Sequence, residues 1–431
     1  MANQSANTFK YMSSFSCIGT NCEDSCCSGW NVTVDKSTFK KLKNSPNSEV
    51  SSDVRKHFKI QTESTASYFA SIQLDKNGQC PILDAESMCS IQRKLDHSYL
   101  PRTCADFPRY YYRVADKTEV LGTLGCPELA RKCLLDTQAF DRVTIEIPFT
   151  PNQQPPYRAG FNFAAKLHTN PIKRNFELIR DVIFQTLKRK DFALWQKLLI
   201  IGLLVNKLSP LNDIKDIPES TESQENDAKV AIELQSMWEM LGSDNLKDQL
   251  NELTNRPNDD LIQQALLKEI TAERLNFKGQ HFGGVQFVAF LKCIGDAFQG
   301  IGYAEADPVG TANRFKQAEA EWFRPFIEKN SHIIENFFIN SVLVESFPAK
   351  SPKSLPLQWN ELMLRYAIVR FYLVGLAGKY KEAFGNDQCV TVIYSFSREV
   401  LHSATFVEHM SKKLEEADLM NLATMSILVK D

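Results

Sequence analysis

Apolar residues recur every three or four positions through the second half of the chain. NFELIRDVIFQTLKRKD and FALWQKLLIIGLLVNKL, roughly 175–208, carry this spacing. It lays a continuous apolar stripe along a helix. The same period returns in AKVAIELQSMWEMLGS, DLIQQALLKEITAERLNF, FVAFLKCIGDAFQG, ANRFKQAEAEWFRPFIEKN, HIIENFFINSVLVES, WNELMLRYAIVRFYLVGLAG, CVTVIYSFSREVLHS and FVEHMSKKLEEADL. These segments do not repeat at a fixed interval, so they predict a large helical domain rather than a solenoid.

The first third reads differently. STFKKLKNS and SDVRKHFKIQTES predict polar helices with single apolar anchors. ASYFASIQLDKNGQC alternates apolar and polar residues, a strand ending at the turn Asn77–Gly78. The run Tyr110, Tyr111, Tyr112 leads through RVAD into KTEVLGTL, a strand pair turning near Asp116–Lys117. RVTIEIPFT at 142–150 is a further strand. PNQQPPYRAGFN at 151–162 is a Pro/Gly-rich boundary, and 211–227 is a polar linker or loop. The expected fold is α+β, mostly α. A small irregular cysteine-rich metal-binding domain with short strands (1–150) precedes a helical segment (151–210), the linker (211–227) and a large helical domain (228–431).

Composition narrows the setting. The chain has 431 residues, a formal net charge of −2 and 43% hydrophobic residues. It has no global basic excess of the kind a nucleic-acid backbone reader needs, so no nucleic-acid partner is expected. The opening MANQSANTFKYMSSFSC does not read as a signal peptide. The richest apolar run, LWQKLLIIGLLV at 194–205, is too short for a membrane span and contains a lysine. A cytoplasmic protein without a membrane partner is expected. In that compartment thiols stay reduced, so clustered cysteines argue for metal.

Nine of the 11 cysteines lie between Cys17 and Cys133. Cys17, Cys22, Cys26 and Cys27 come first, in FSCIGTNCEDSCCSGW. Cys80 and Cys89 follow, then Cys104 in YLPRTCADFPRYYY, then Cys126 and Cys133. Structural zinc favours CxxC pairs, and the chain has none. A 4Fe–4S cluster takes four thiolates from varied segments, and nine cysteines suffice for one or two. Iron–sulfur is the favoured reading, with zinc and redox thiol chemistry as alternatives. Cys293 and Cys389 fit buried small hydrophobes, and Cys133 fits either role. Adjacent Cys26 and Cys27 need not serve one centre.

Polar neighbours add candidates. Glu23 and Asp24 interrupt the first cysteine group; they suit a ligand-orienting or cation-binding role, or a helix start. Arg102 and Arg109, with Asp106 between them, bracket Cys104 and could offset an anionic cluster. Trp30 suits local core, and His402 and His409 suit solvated positions. The chain lacks GxGxxG after a strand, GxxxxGK[ST], HExxH, GxSxG and CxxxCxxC.

The motif F-x-C-I-G-x-x-C-E-D-x-C-C-x-G-W, Phe15 to Trp30, resembles the flagellin lysine-N-methylases. So do C-P-x-L-D, C-x-I and L-x-x-T-C-x-x-F-P-R, from Cys80 to Arg109, and L-G-C-P-E-x-A-R at 124–131. These segments are also similar to a wider class of zinc- or iron-chelating cysteine-cluster proteins. The likeness continues through 179–204 and into helices bearing Arg365, Arg370 and Arg398. It implies methyl transfer from S-adenosylmethionine to lysines of flagellin, in the cytoplasm. It also implies an iron–sulfur cluster mapped to Cys17, Cys22, Cys26, Cys27, Cys80, Cys89, Cys104 and Cys126. Tyr110, Tyr111, Asp106, Glu23 and Asp24 are the candidates for placing the amine. A redox protein, or a metal-stabilised flagellin-binding protein without turnover, are the competing readings.

Overall fold

The computed structural model describes the chain apart from residues 1–3, 30–31, 150–154, 164–169, 215–220, 257, 277–284, 350–352 and 402–403. The expectations for Trp30 and His402 therefore lie outside the described residues. Helices dominate, with two small sheets, so the fold is α+β and mostly α.

The chain opens with β1 (Gln4–Phe9). β2 (Thr33–Val34), β3 (Phe58–Ile60) and β4 (Ala70–Ile72) form a small antiparallel sheet in the order β2-β4-β3. The strand expected to run from Ala66 up to the turn at Asn77–Gly78 is thus cut to three residues. Asp75 ends it: its carboxylate accepts the N–H groups of Asn77 (2.8 Å) and Gln79 (2.9 Å) and turns the chain. β5 (Arg109–Val114) and β6 (Lys117–Gly122) form the expected hairpin, turning at Ala115–Asp116. β7 (Arg142–Ile147) and β8 (Tyr157–Phe163) complete a mixed five-stranded sheet, ordered β7-β1-β6-β5-β8.

Pairing fixes what each face presents. Tyr111 opposes Val120 and Ala6 opposes Ile145, so these residues share one face. Tyr110 and Tyr112, opposite Leu121 and Glu119, share the other. That second face packs on helices. The Tyr112 hydroxyl donates to the Val344 carbonyl at 2.8 Å, and Arg180 grips both oxygens of Glu119 at 2.7 and 3.0 Å.

The helices form where the period placed them, including Phe176–Lys188 and Leu194–Asn212. The longest, Leu355–Tyr380, is buried over most of its length, and the Trp359 indole donates to the Leu198 carbonyl at 3.1 Å. Helices Val285–Gly300 and Leu355–Tyr380 cross closely at Gly300 and Gly375, where an added Cβ would strike the facing backbone.

Two apolar cores result. One runs from Ala6 to Val429 and unites the five-stranded sheet with the helices. The other, from Val32 to Leu100, is small and separate. The strands at both ends of the expected 1–150 domain therefore pack with the helical core, and only the stretch between them forms a cysteine-rich lobe. The expected boundary at 151–162 contains most of β8, because its residues pair in parallel with β5. The expected linker at 211–227 is shorter at both ends. A helix runs to Asn212 and the next starts at Thr221. Arg174 anchors that start, donating to Asp227 at 2.9 Å. Among the described residues no helix is long and apolar enough to cross a membrane.

Candidate functional site

The cysteine segments are irregular, tied by backbone bonds rather than by long elements. Cys80 N–H donates to the Cys27 carbonyl at 2.8 Å, and Gly29 N–H donates to the Gly78 carbonyl at 2.8 Å. These bonds join the first loop to the second. Gly29 and Gly78 have φ of 80° and 74°, the region where glycine is preferred. Asp84 accepts the N–H groups of Glu86 and Met88 and turns the chain back so that Leu83 pairs with Cys89. Cys89 immediately precedes the short helix Ser90–Lys94, Cys104 lies within Arg102–Asp106, and Cys126 precedes Pro127–Leu135. Backbone N–H groups of Ile91 and Gln92 at Cys89, and of Leu129 at Cys126, favour the thiolate forms, as helix starts do.

These thiols interact. The Cys27 thiol donates to the Cys26 sulfur, which holds Cys26 down at about 7 and pushes Cys27 up. Burial pushes Cys80 up to about 11 and raises Cys89 and Cys104, and these three and Cys26 add to that rise by mutual repulsion. Cys126, pushed up to about 12 by burial, feels Cys22 and Cys26. Seven of the eight mapped cysteines are thus in electrical contact. The eighth, Cys17, is exposed. Cys133 is fully buried, and burial alone raises its thiol, as it does for Cys389.

Among the described residues no three His, Cys, Asp or Glu side chains already stand as the ligand set of one ion. The donor set is nonetheless all sulfur, the chemistry that iron–sulfur and zinc centres select. A buried donor accompanies it. Arg398, 8% exposed, gives Nη1 to Asp24 Oδ2 at 2.9 Å and Nε to the Gly125 carbonyl. Its Nη2 is buried and has no hydrogen-bond partner among the described residues. An anionic sulfur centre beside it would meet that nitrogen's need.

The candidate polar residues divide. Asp24 is buried in the pair with Arg398, whereas Glu23 forms a half-exposed pair with Arg131 at 2.6 Å. Asp106 and Tyr111 line a 1320 Å³ cleft between the cysteine lobe and the open face of the five-stranded sheet. Burial raises the Asp106 carboxyl, against Arg102 at 3.2 Å, and burial also raises Tyr111. Phe149 meets Tyr111 edge-on at 5.5 Å, and Arg109 lies 5.3 Å over Phe15. Arg102 and Arg109 thus line the cleft, and the arginine acting on Cys22, Cys26 and Cys126 is Arg398. Tyr110 faces the other way. It stacks under Arg158 at 4.5 Å beside a 30 Å³ cavity that Glu345 and Arg365 also line.

Sequence reasoning did not assign Arg398 to the thiols, since 374 residues separate it from Asp24. No motif marks it: Arg398 lies on the π-helical turn Ser397–Leu401, a distortion frequent at functional sites that only the folded chain reveals. The next residue, Glu399, is fully buried against Arg274, whose guanidinium also donates to the Glu399 carbonyl at 2.6 and 3.0 Å.

Residues 180–428 match the FliB lysine N-methylase C-terminal domain. The Lysine-N-methylase of Salmonella typhimurium is 33% identical over 131 residues, covering 30% of this chain and 32% of that protein; that of Salmonella choleraesuis matches equally. The Flagellar biosynthetic protein FliU of Salmonella muenchen is 32% identical over 131 residues, 30% of this chain and 77% of that protein. The matched stretch spans about a third of the length of the two lysine-N-methylases. No solved structure matches. With the family domain covering more than half of its length, the chain belongs to the FliB lysine N-methylase family.

Proposed function

We propose that the chain transfers methyl groups from S-adenosylmethionine to lysine side chains of flagellin, and that its cysteine loops hold a 4Fe–4S cluster. Family membership supports the reaction, and the flagellar name of one relative supports the substrate. The observation that carries this reading is the shared wall between thiols and cleft. Helix Arg102–Asp106 gives Cys104 to the thiol group and Asp106 to the cleft, where Asp106 acts electrostatically on Tyr111. The cleft, at 1320 Å³, exceeds the usual size of a small-molecule site. It has room for a nucleoside-sized cofactor and a lysine side chain together.

A lysine amine is ordinarily protonated near neutral pH and must shed a proton before it attacks. Burial against the cleft wall disfavours the charged amine, whereas the Asp106 carboxylate and the ring faces of Phe15, Tyr111 and Phe149 attract it. The Asp106 carboxylate is the acceptor placed for that proton, and the Tyr111 hydroxyl orients the amine. Bound S-adenosylmethionine supplies an electrophilic methyl group. Asp106 takes the amine proton first; as the freed lone pair then forms the nitrogen–carbon bond, the methyl's carbon–sulfur bond breaks and S-adenosylhomocysteine leaves, with the product amine carrying the positive charge. This step balances without an electron from a metal. The cysteine site therefore serves to hold Cys104 and its helix, and with them the cleft wall, in place.

The test is anaerobic purification with iron and sulfide analysis and electron paramagnetic resonance. An assay of the same sample with flagellin and methyl-labelled S-adenosylmethionine follows. Label should appear on flagellin lysines, and Asp106→Asn should slow transfer by about 100- to 10,000-fold while flagellin still binds. Iron-loaded wild-type protein that leaves flagellin unlabelled would overturn the proposal.

A further inference from the structure

The helical domain sends one side chain into the cysteine loops. Arg398 lies within the matched family domain, and Asp24 and Gly125 lie outside it. Asp24 sits between Cys22 and Cys26 in the chain, and Gly125 directly precedes Cys126. By holding the Asp24 carboxylate and the Gly125 carbonyl, one guanidinium ties two separate cysteine loops together. A guanidinium is planar and rigid, so two bonds fix where its remaining donor points. That donor, Nη2, is buried without a hydrogen-bond partner among the described residues. Its surroundings contain the thiols of Cys22, Cys26 and Cys126, all of which the Arg398 charge biases toward the thiolate form. The carboxylates facing the same group are Asp24 and, from its own turn, Glu399.

We propose that Arg398 is a positioning residue of the cysteine site, which clasps the Cys22–Cys27 loop to the Cys126 turn and directs Nη2 at the sulfur centre built there. The clasp makes the helical domain a participant in assembling that centre. Its positive charge and N–H donor lie beside the sulfurs, and hydrogen bonds to sulfur and local charge set the potential of an iron–sulfur centre. The second part of the inference rests on the iron–sulfur reading given above; the first part does not.

Two measurements on the full chain test it, with Arg398→Gln, Arg398→Lys and Asp24→Asn. In reduced, metal-free protein, iodoacetamide labelling of each cysteine is followed by mass spectrometry. Arg398→Lys keeps the charge that favours the Cys126 thiolate but cannot hold both Asp24 and Gly125, and it should speed labelling of buried Cys126 by about tenfold or more, the scale of one lost charge-assisted bond. Cys293 and Cys389 should label as in wild type, which checks that the helical core is folded. Asp24→Asn should act in the same direction but less. Unchanged or slower labelling of Cys126 in Arg398→Lys overturns the clasp. In iron-loaded protein, Arg398→Gln should release iron to a chelator faster and show a lower midpoint potential, and Arg398→Lys should restore much of the potential. Iron retention and potential equal to wild type in Arg398→Gln overturn the role toward the centre. If wild-type protein takes up no iron, the iron–sulfur reading falls, and the labelling result still decides the clasp.

Discussion

The two cores of this molecule are held by different means. The cysteine lobe has twelve buried apolar side chains between Val32 and Leu100, with Cys80, Cys89 and Cys104 packed against them. Cores of that size seldom hold a fold alone, and small natural domains add disulfides or metals. The helical core needs no such addition. Its buried charges find protein partners: Lys197 donates to the carbonyls of Leu187 and Arg189 and to Glu335, each at 2.9 Å. Arg370 reaches both Glu319 and Asp431. In the lobe, by contrast, the groups packed against the core include the thiols of Cys80, Cys89 and Cys104, which burial holds in their neutral form. The helical domain is held by a large apolar core and its own buried ion pairs, whereas on the proposed reading the lobe is completed by a centre its sulfurs bind and by Arg398 reaching its first loop from outside.

The strongest way to break that comparison is one truncation in each region. Cys104→Ala should lose bound metal and open the stretch 32–105 to protease, with the main thermal transition kept. Trp359→Ala, at a fully buried side chain whose indole meets the Leu198 carbonyl, should cost about 3–5 kcal/mol. It should lower the main transition and leave metal retention in the surviving folded protein unchanged. Calorimetry, iron analysis and limited proteolysis read all three. If both variants lose metal and melt together in one lowered transition, the two cores are one cooperative unit.

The sequence-legible parts follow the same division. Helices Phe176–Lys188 and Leu194–Asn212 were readable because their apolar stripe is local information. The β5–β6 hairpin was readable because its strands adjoin the turn that joins them. β8 was not, because its parallel partner lies more than forty residues earlier and prolines crowd the segment before it. At the site, the cysteine positions are plain from spacing, but which face of β5 meets the cleft is not. Strand alternation puts Tyr111 opposite Tyr110 in direction, and only the packing of β5 decides that Tyr111 is the one in the cleft. The Arg398–Asp24 pair carries no local pattern at all, since its members meet only after the whole chain has folded.

A smaller effect sharpens the boundary between the regions. Glu399 lies on the turn that carries Arg398, and burial pushes its carboxyl from the ordinary 4.5 to about 7. Arg274 and Arg398 oppose the rise and Asp24 adds to it. Because the folded value lies above the unfolded one, the protonated form is favoured by folding. Its stabilisation is fully present below about pH 4.5 and is lost as pH rises through about 7. Glu399→Gln should therefore flatten stability across that window, by at most about 3.5 kcal/mol at about 1.36 kcal/mol per unit. Denaturant melts at several pH values measure it. A wild-type slope that persists in the variant would assign the pH dependence to other groups.

The smallest effect is expected at Glu23, and its value lies in the contrast with its neighbour. Glu23 and Asp24 are adjacent carboxylates in one loop, each paired with an arginine. The Glu23–Arg131 pair is half-exposed, at 39% and 37%, whereas Asp24 is 1% exposed against Arg398 at 10%. Water and salt screen the first pair, so Glu23→Gln should change stability by less than about 1 kcal/mol, and by still less at high salt. Asp24→Asn leaves a buried guanidinium without its counter-charge and should weaken both the loop and metal retention. Stability and iron retention for the two variants, at low and high salt, separate the cases. Equal losses from both would mean that the loop depends on its total negative charge, and the single buried contact with the helical domain would lose its special place.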